Sequence, residues 1–205
     1  AQLDRASGDA LRRLIESRGS RVRTESITPR LDADASGKVV GLEFRDGTWE
    51  PTDVVVFTVG VRPRDELARA ASLDVEPRGG IVIDAGCRTS DPRILAIGEV
   101  ASFDGACVGL VAPGYAMAEV AATRLLGGHA QFSGYDVSTK LKLSGVDVAS
   151  FGDAFAETPG ALDVVYADPV AGVYKKLVMS DDAKTLLGGI LVGDASSYAA
   201  LRPLV

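Results

Sequence analysis

The chain has 205 residues, 46% of them hydrophobic and 24% charged, with a mean hydropathy of +0.15. That balance excludes intrinsic disorder, which requires low hydrophobicity and high net charge. Twenty-two basic against 28 acidic residues give a net charge of −6, the wrong sign for a protein whose main work is binding phosphate backbones.

The apolar run Val54–Val61 is far shorter than the roughly 20 residues of a membrane span, and the opening Ala1-Gln2-Leu3-Asp4-Arg5 lacks the apolar stretch of a secretory signal. A cytoplasmic protein with neither nucleic acid nor membrane as partner is therefore expected. Cys87 and Cys107 form no C-x-x-C, which removes zinc ribbons, thioredoxin-like pairs and cysteine-ligated clusters, and leaves two free thiols as the expectation. The single histidine, His129, follows Gly127-Gly128 and reads as the solvated end of a helix. No histidine metal cluster is encoded, and no metal ligand is expected.

Residues 7–19 read as an amphipathic helix, with Ser7 as N-cap, Leu11, Leu14 and Ile15 on one face, and Gly19 as the stop. Arg21 to Glu25 alternates as a short strand. Val39 to Phe44, a turn at Asp46-Gly47, and a second arm from Trp49 signal a β-hairpin, with Trp49 packing on it. Asp53 to Gly60 is continuously apolar and β-branched, the pattern of a parallel strand buried on both faces. Ile81–Asp84 and Ile94–Gly98 resemble two more short buried strands. Tyr115–Leu126 is a long Ala-rich helix, with Pro113-Gly114 before it and Gly127-Gly128 after it.

Composition then shifts. Residues 1–130 hold fifteen arginines and one lysine; residues 131–205 hold one arginine and five lysines, with a net charge of −3 in each part. The pattern changes to antiparallel strands at Thr139–Leu143, Val146–Phe151, Leu162–Tyr166, Val173–Met179 and Leu186–Val192, with a turn at Asp181-Asp182. A domain boundary is expected near Gly134. Lys140 and Lys142 alternate with Leu141 and Leu143, as solvated lysines on a half-buried strand or as lysines near an electron-transfer partner.

No G-x-G occurs anywhere, so neither a dinucleotide fingerprint nor a P-loop is present. Two apolar segments nevertheless stop at glycine: one in Thr58-Val59-Gly60-Val61-Arg62-Pro63, the other in Ile97-Gly98-Glu99. Ligands of open α/β sheets gather beyond the carboxyl ends of strands. Glycine lets a ligand approach the backbone, and a carboxylate just past it accepts bonds from sugar hydroxyls. Taken alone, each motif is weak, and Glu99 reads first as a solvated turn residue.

The order of these pieces resembles the C-terminal half of the FAD domain in pyridine nucleotide–disulfide-type flavoprotein reductases. There a strand ending in A/T-x-G-x-x-P is followed by T-x-x-x-x-(I/L)-x-A-x-G-(D/E). This chain has Thr58 to Pro63 and then Thr89-Ser90-Asp91-Pro92-Arg93-Ile94-Leu95-Ala96-Ile97-Gly98-Glu99. Glu99 in place of the commoner Asp, together with Gly60 to Ala68, Phe103-Asp104-Gly105, Gly109 to Tyr115 and Thr139 to Gly152, is similar to the branch formed by large subunits of NAD(P)H-dependent assimilatory nitrite reductases. Ferredoxin or rubredoxin reductases and nitrate reductase electron-transfer subunits are near relatives; a non-catalytic subunit-interface module is the contrasting alternative.

The resemblance implies an α/β fold, a partial FAD/NAD(P)-binding Rossmann-like reductase domain followed by a smaller α+β domain with an antiparallel sheet. Its parts would be the C-terminal remnant of an NAD(P)H-binding domain (1–33), the C-terminal half of a FAD domain (34–133) and an α+β interface domain (134–205), together an internal piece of a longer oxidoreductase, expected to be inactive on its own. FAD and NAD(P)H are the implied cofactors, with iron–sulfur and sirohaem only in segments outside these residues. A nitrite reductase small subunit and a second copy of the chain are implied partners. The implied flavin contacts are Gly60, Arg62, Pro63, Gly98, Glu99, Val111, Ala112 and Pro113. Arg62 either faces the cofactor or pairs with Asp65 or Glu66. No residue is implied as a catalytic acid, base or nucleophile.

Overall fold

The structure, a computed structural model, describes residues 2–28 and 30–205. It divides into two compact units: residues 1–56 with 137–205, and residues 57–136.

The first unit opens with α1 (Arg5–Glu16). Its N-cap is Asp4 and not Ser7: the Asp4 carboxylate accepts the Ser7 backbone N–H at 2.9 Å and the Ser7 hydroxyl at 2.7 Å. Asp is as good a cap as Ser, and here the aspartate precedes the apolar face by the spacing that lets it reach the third free N–H. Ser17 is the C-cap, so the helix stops before Gly19. Residues 21–25 form no strand. Arg21 and Arg23 instead bond the Glu50 carboxylate at 3.0 and 2.7 Å, and the Arg23 guanidinium lies 4.4 Å from the centre of the Phe44 ring.

A three-stranded antiparallel meander follows: β1 (Arg30–Ala33), β2 (Val39–Glu43) and β3 (Trp49–Pro51). The β2–β3 hairpin turns at Asp46-Gly47 as expected. Trp49 lies over Gly41, where any Cβ would strike its ring, and its indole N–H donates to Asp32 at 2.9 Å.

The remainder of this unit is a five-stranded antiparallel sheet ordered β7-β8-β11-β10-β9. Its strands are β7 (Thr139–Leu143), β8 (Val146–Gly152), β9 (Leu162–Asp168), β10 (Val173–Met179) and β11 (Leu186–Gly193), each where the alternation placed it. Side chains one residue apart point to opposite faces. Val146, Val148, Tyr174, Ile190 and Val192 accordingly meet Leu11, Leu14 and Ile15 of α1 on one face. Ala149, Phe151, Leu191 and Leu177 meet Tyr198 and Leu201 of the short helix α4 (Tyr198–Leu201) on the other. Lys140 and Lys142 are exposed on edge strand β7, with the Lys140 ammonium 5.9 Å from the centre of the Tyr198 ring.

The second unit contains α2 (Glu66–Ala70), β4 (Ile81–Val82), β5 (Ala101–Phe103), β6 (Ala106–Cys107) and α3 (Val111–Leu125). β4 pairs parallel with β5, and β5 antiparallel with β6. Its core joins Ile83, Cys87, Ala96, Ala101, Met117, Val120 and Phe132, with Phe103 edge-on to Phe132 at 5.1 Å.

Two further expected strands do not form. Val54–Gly60 joins no sheet among the described residues, and Val54, Val56, Phe57 and Val59 are exposed, from 68% at Phe57 to 89% at Val59, with Val55 half-buried. A strand buried on both faces needs neighbours on both sides and helices above and below; the described residues supply neither. Ile94–Gly98 makes only an isolated bridge, Leu95 with Arg88, before the chain turns into a single 3₁₀ turn at Gly98–Val100. The long helix also begins earlier than expected: Pro113 and Gly114 lie inside its first turn.

Candidate functional site

The site is built where three turns meet in the second unit. The first is Gly98-Glu99. Upstream of it, Thr89 is buried and organises the approach: its backbone N–H bonds the Ile94 carbonyl at 3.0 Å and its hydroxyl reaches the Asp91 and Ile94 carbonyls, both at 3.1 Å. Asp91 closes the same loop through a fork to Arg93, which with the Arg93 backbone N–H holds its pKa down at about 2. The chain then reaches Gly98 at φ +79°, a left-handed conformation that L side chains rarely adopt. A Cβ at Gly98 would point into open space, with no atom within 4 Å. Glu99 follows, exposed to solvent.

The second turn is the start of α3. Leu110 is extended (φ −134°, ψ 146°), no side chain caps the helix, and its first turn holds no acidic residue. The first amides of an α-helix have no intrahelical acceptor, so Val111 and Ala112 present N–H groups at the positive end of the helix dipole. Pro113, buried in this turn, has no N–H to leave unbonded. Gly114 lies against the Gly98 turn. A Cβ on Gly114 would come within 3.2 Å of Gly98 Cα, so the helix start and the Gly98 turn touch backbone to backbone.

The third turn is Gly60-Val61. Gly60 has φ +91° and is exposed, and the Val61 side chain lies 3.7 Å from where a Cβ of Gly109 would be, at the entrance to α3. The turn is pinned from its far side by Asp65. That buried carboxylate takes a fork from Arg69, at 2.9 and 3.0 Å, and the Gly80 N–H at 2.9 Å; these contacts lower its pKa, Arg69 foremost. Asp65 is thus engaged by Arg69 and not by Arg62, which is exposed. Pro63 packs on the same loop, 3.4 Å from where a Cβ of Gly79 would be.

Of the residues expected at the site, Gly98, Glu99, Val111, Ala112 and Pro113 come together at one seam, with Gly60 beside the entrance of α3. Arg62 and Pro63 lie beyond that turn. The sequence reading missed Gly114, which it took for a residue ahead of the helix, and the Asp65–Arg69–Gly80 pin. The i,i+4 spacing of Asp65 and Arg69 was the available signal. Both thiols are free; burial raises the pKa of Cys87 and of Cys107. Among the described residues, no group of three or more His, Cys, Asp or Glu side chains could hold a metal ion, and no helix is long and apolar enough to cross a membrane.

A glycine-floored turn just ahead of β5 lies against an uncapped helix start, an arrangement that suits an anionic or phosphate-bearing cofactor. The sequence pattern of the pyridine nucleotide-disulphide oxidoreductases matches residues 1–124, and that of the rubredoxin NAD+ reductase C-terminal domain matches residues 138–205. The chain belongs to the pyridine nucleotide-disulphide oxidoreductase family. It is 51% identical over 204 residues to the nitrite reductase (NADH) large subunit of Escherichia coli (strain K12), covering all of this chain and 24% of that protein. It is 34% identical over 194 residues to the assimilatory nitrate reductase electron transfer subunit of Bacillus subtilis (strain 168), covering 94% of this chain and 24% of that protein. Among solved structures, a FAD-dependent pyridine nucleotide-disulphide oxidoreductase from Desulfovibrio vulgaris matches with a TM-score of 0.78 at 26% identity, over 98% of this chain and 52% of that one. The chain therefore spans about a quarter of the length of the curated relatives it matches.

Proposed function

We propose that this chain is the flavin-seating and C-terminal part of an NAD(P)H-dependent nitrite reductase large subunit. The observation that carries the reading is the seam of Gly98, Glu99 and the uncapped start of α3, in a chain half identical to such a subunit along its whole length. Residues 1–33 would close the NAD(P)H-binding domain, 34–133 complete the FAD domain, and 134–205 form an interface domain. When bound, FAD supplies the relay from the two-electron donor NAD(P)H to one-electron metal centres, the iron–sulfur and sirohaem groups of other segments, where nitrite becomes ammonia.

The residues present fit that cofactor. The open side of Gly98 lets a ribityl chain approach the backbone, and the Glu99 carboxylate accepts a hydrogen bond from one of its hydroxyls. The N–H groups of Val111 and Ala112, backed by the α3 dipole, favour negative charge at the pyrimidine edge. Pro113 and Gly114 hold this helix start on the Gly98 turn, and Gly60, Arg62 and Pro63 shape the neighbouring turn. The intact protein is proposed to be cytoplasmic, to work as a homodimer and to meet a nitrite reductase small subunit.

The test is Glu99→Ala in the intact protein. A hydrogen bond to a charged group contributes about 1.5–3 kcal/mol, so FAD affinity should fall roughly tenfold or more, with NAD(P)H-driven flavin reduction retained in the loaded fraction. Wild-type flavin content in the variant would remove Glu99 from the site.

A further inference from the structure

The face of the five-stranded sheet that receives α1 carries one buried charge among its mostly apolar residues. Lys176 projects from β10 between Tyr174 and Val178 and is 4% exposed. Its ammonium lies 3.2 Å from Asp4 Oδ2 and 3.4 Å from Asp163 on the neighbouring strand β9. Asp4 is the N-cap of α1, and its other oxygen is taken by the Ser7 N–H and hydroxyl. One carboxylate therefore ends the helix and ties it to the sheet. Burial works against the Lys176 charge, but Asp4 and Asp163 outweigh it and hold the pKa above its ordinary value.

The apolar contacts of α1 do not by themselves fix how it lies. The burial of Leu11, Leu14 and Ile15 is non-directional and sets no single polar contact as the reference point of the helix. The buried lysine keeps both of its carboxylate partners only when the α1 N-terminus sits over it. Such a charge contributes little net stability yet penalises other registers, because each would leave it with the half-exposed Asp163 alone. The sequence patterns divide at this contact: α1 falls within the oxidoreductase match, 1–124, and Lys176 within the C-terminal-domain match, 138–205.

We propose that Lys176, with Asp4 and Asp163, is a positioning latch by which the C-terminal sheet fixes the last helix of the nucleotide-binding part, and so the presentation of NAD(P)H for hydride transfer. The inference rests on the proposed reductase function. Lys176 touches neither substrate nor cofactor; it acts through α1.

The experiment uses the intact flavin-loaded protein with Lys176→Met, Lys176→Arg and the milder Asp163→Asn. Two quantities are read: hydrogen exchange of the α1 amides, and the limiting rate of flavin reduction by NADH or NADPH in a single turnover. Lys176→Met should speed α1 exchange at unchanged flavin content and slow flavin reduction about tenfold, the scale of a sub-ångström misplacement of reacting groups. Asp163→Asn should act in the same direction with a smaller effect, and remains informative if Lys176→Met does not fold. Lys176→Arg should keep both quantities near wild type; because Met preserves an apolar chain of similar length, loss in Met with retention in Arg marks the charge and not packing of the stem as the cause. Unchanged α1 exchange in the Met and Asn variants would overturn the latch. Faster α1 exchange with a wild-type reduction rate would overturn its positioning role. Wild-type protein that neither nucleotide reduces would overturn the reductase reading itself, with the exchange data still reporting on the latch.

Discussion

Gly114 gives the sharpest handle on the seam. Carbon–carbon contacts are most favourable at about 3.5–4.0 Å, whereas a Gly114 Cβ would stand 3.2 Å from Gly98 Cα. In Gly114→Ala, α3 or the Gly98 turn must therefore retreat by about 0.3–0.8 Å. Overpacking of this kind costs about 1–3 kcal/mol, and replacing a helical glycine by alanine returns about 0.5–1 kcal/mol. The net loss in Gly114→Ala is about 1 kcal/mol, a drop of roughly 2–4 °C in Tm for a domain of this size. Gly114→Val adds two methyl groups at the same contact and a stiff β-branched side chain, so its loss lies at about 3 kcal/mol, the upper end of the overpacking range. The functional consequence should exceed the structural one, because the displaced atoms are those proposed to hold the cofactor. The assay is the flavin-to-protein ratio of the intact protein, measured beside its melting temperature. Flavin content should decline from wild type to Ala to Val. A Val variant with wild-type flavin content and wild-type Tm would refute the close contact and the reasoning built on it.

Three further outcomes follow from the same geometry. The carboxylates of Asp4, Asp91 and Asp194, the last accepting from the Lys175 ammonium at 2.6 Å and the Ser196 N–H at 2.9 Å, all have pKa values below the ordinary 3.8. Groups depressed on folding stabilise the native state above their unfolded pKa and lose that contribution as pH falls toward the folded one. Tm should thus be level from pH 7 to 5 and fall below about pH 4; a Tm unchanged down to pH 2 would contradict these contacts. Asp65→Asn should weaken the grip on the Gly80 N–H and the Arg69 fork, seen as faster hydrogen exchange at Gly80 while the antiparallel sheet stays protected; unchanged exchange at Gly80 would count against the pin. Cys87, fully buried with its pKa raised by desolvation and then by Asp84, should resist a thiol reagent in the native protein and react once it is unfolded; rapid native labelling would contradict its place in the core.

How much could be read from the sequence depended on whether the signal was local. Most of the antiparallel sheet was legible because β7 and β8, β9 and β10, and β10 and β11 are each joined by a short connection, whereas the pairing of β8 with β11 is long-range; Thr139–Leu143 and Val173–Met179 match their expected ends. Val54–Gly60 carries an equally strong apolar signal, but that signal describes a strand surrounded by others, and no described residue pairs with it. Strand β1, Arg30–Ala33, was not expected: Arg30-Leu31-Asp32-Ala33 has no β-branched residue and is placed by pairing with β2. At the site, the glycine-ended segments and the start of α3 were recognisable as pieces. Their meeting was not, because the contact of Gly114 with Gly98 joins residues sixteen positions apart through two backbones and no side chain.

The most direct test of the account is a structure of the intact, flavin-loaded protein at a resolution that places the isoalloxazine ring. The pyrimidine edge should lie within hydrogen-bond reach of the Val111 and Ala112 N–H groups, with a ribityl hydroxyl on Glu99 and the ribityl chain passing the open side of Gly98. A flavin seated elsewhere, with this seam facing bulk solvent, would contradict it.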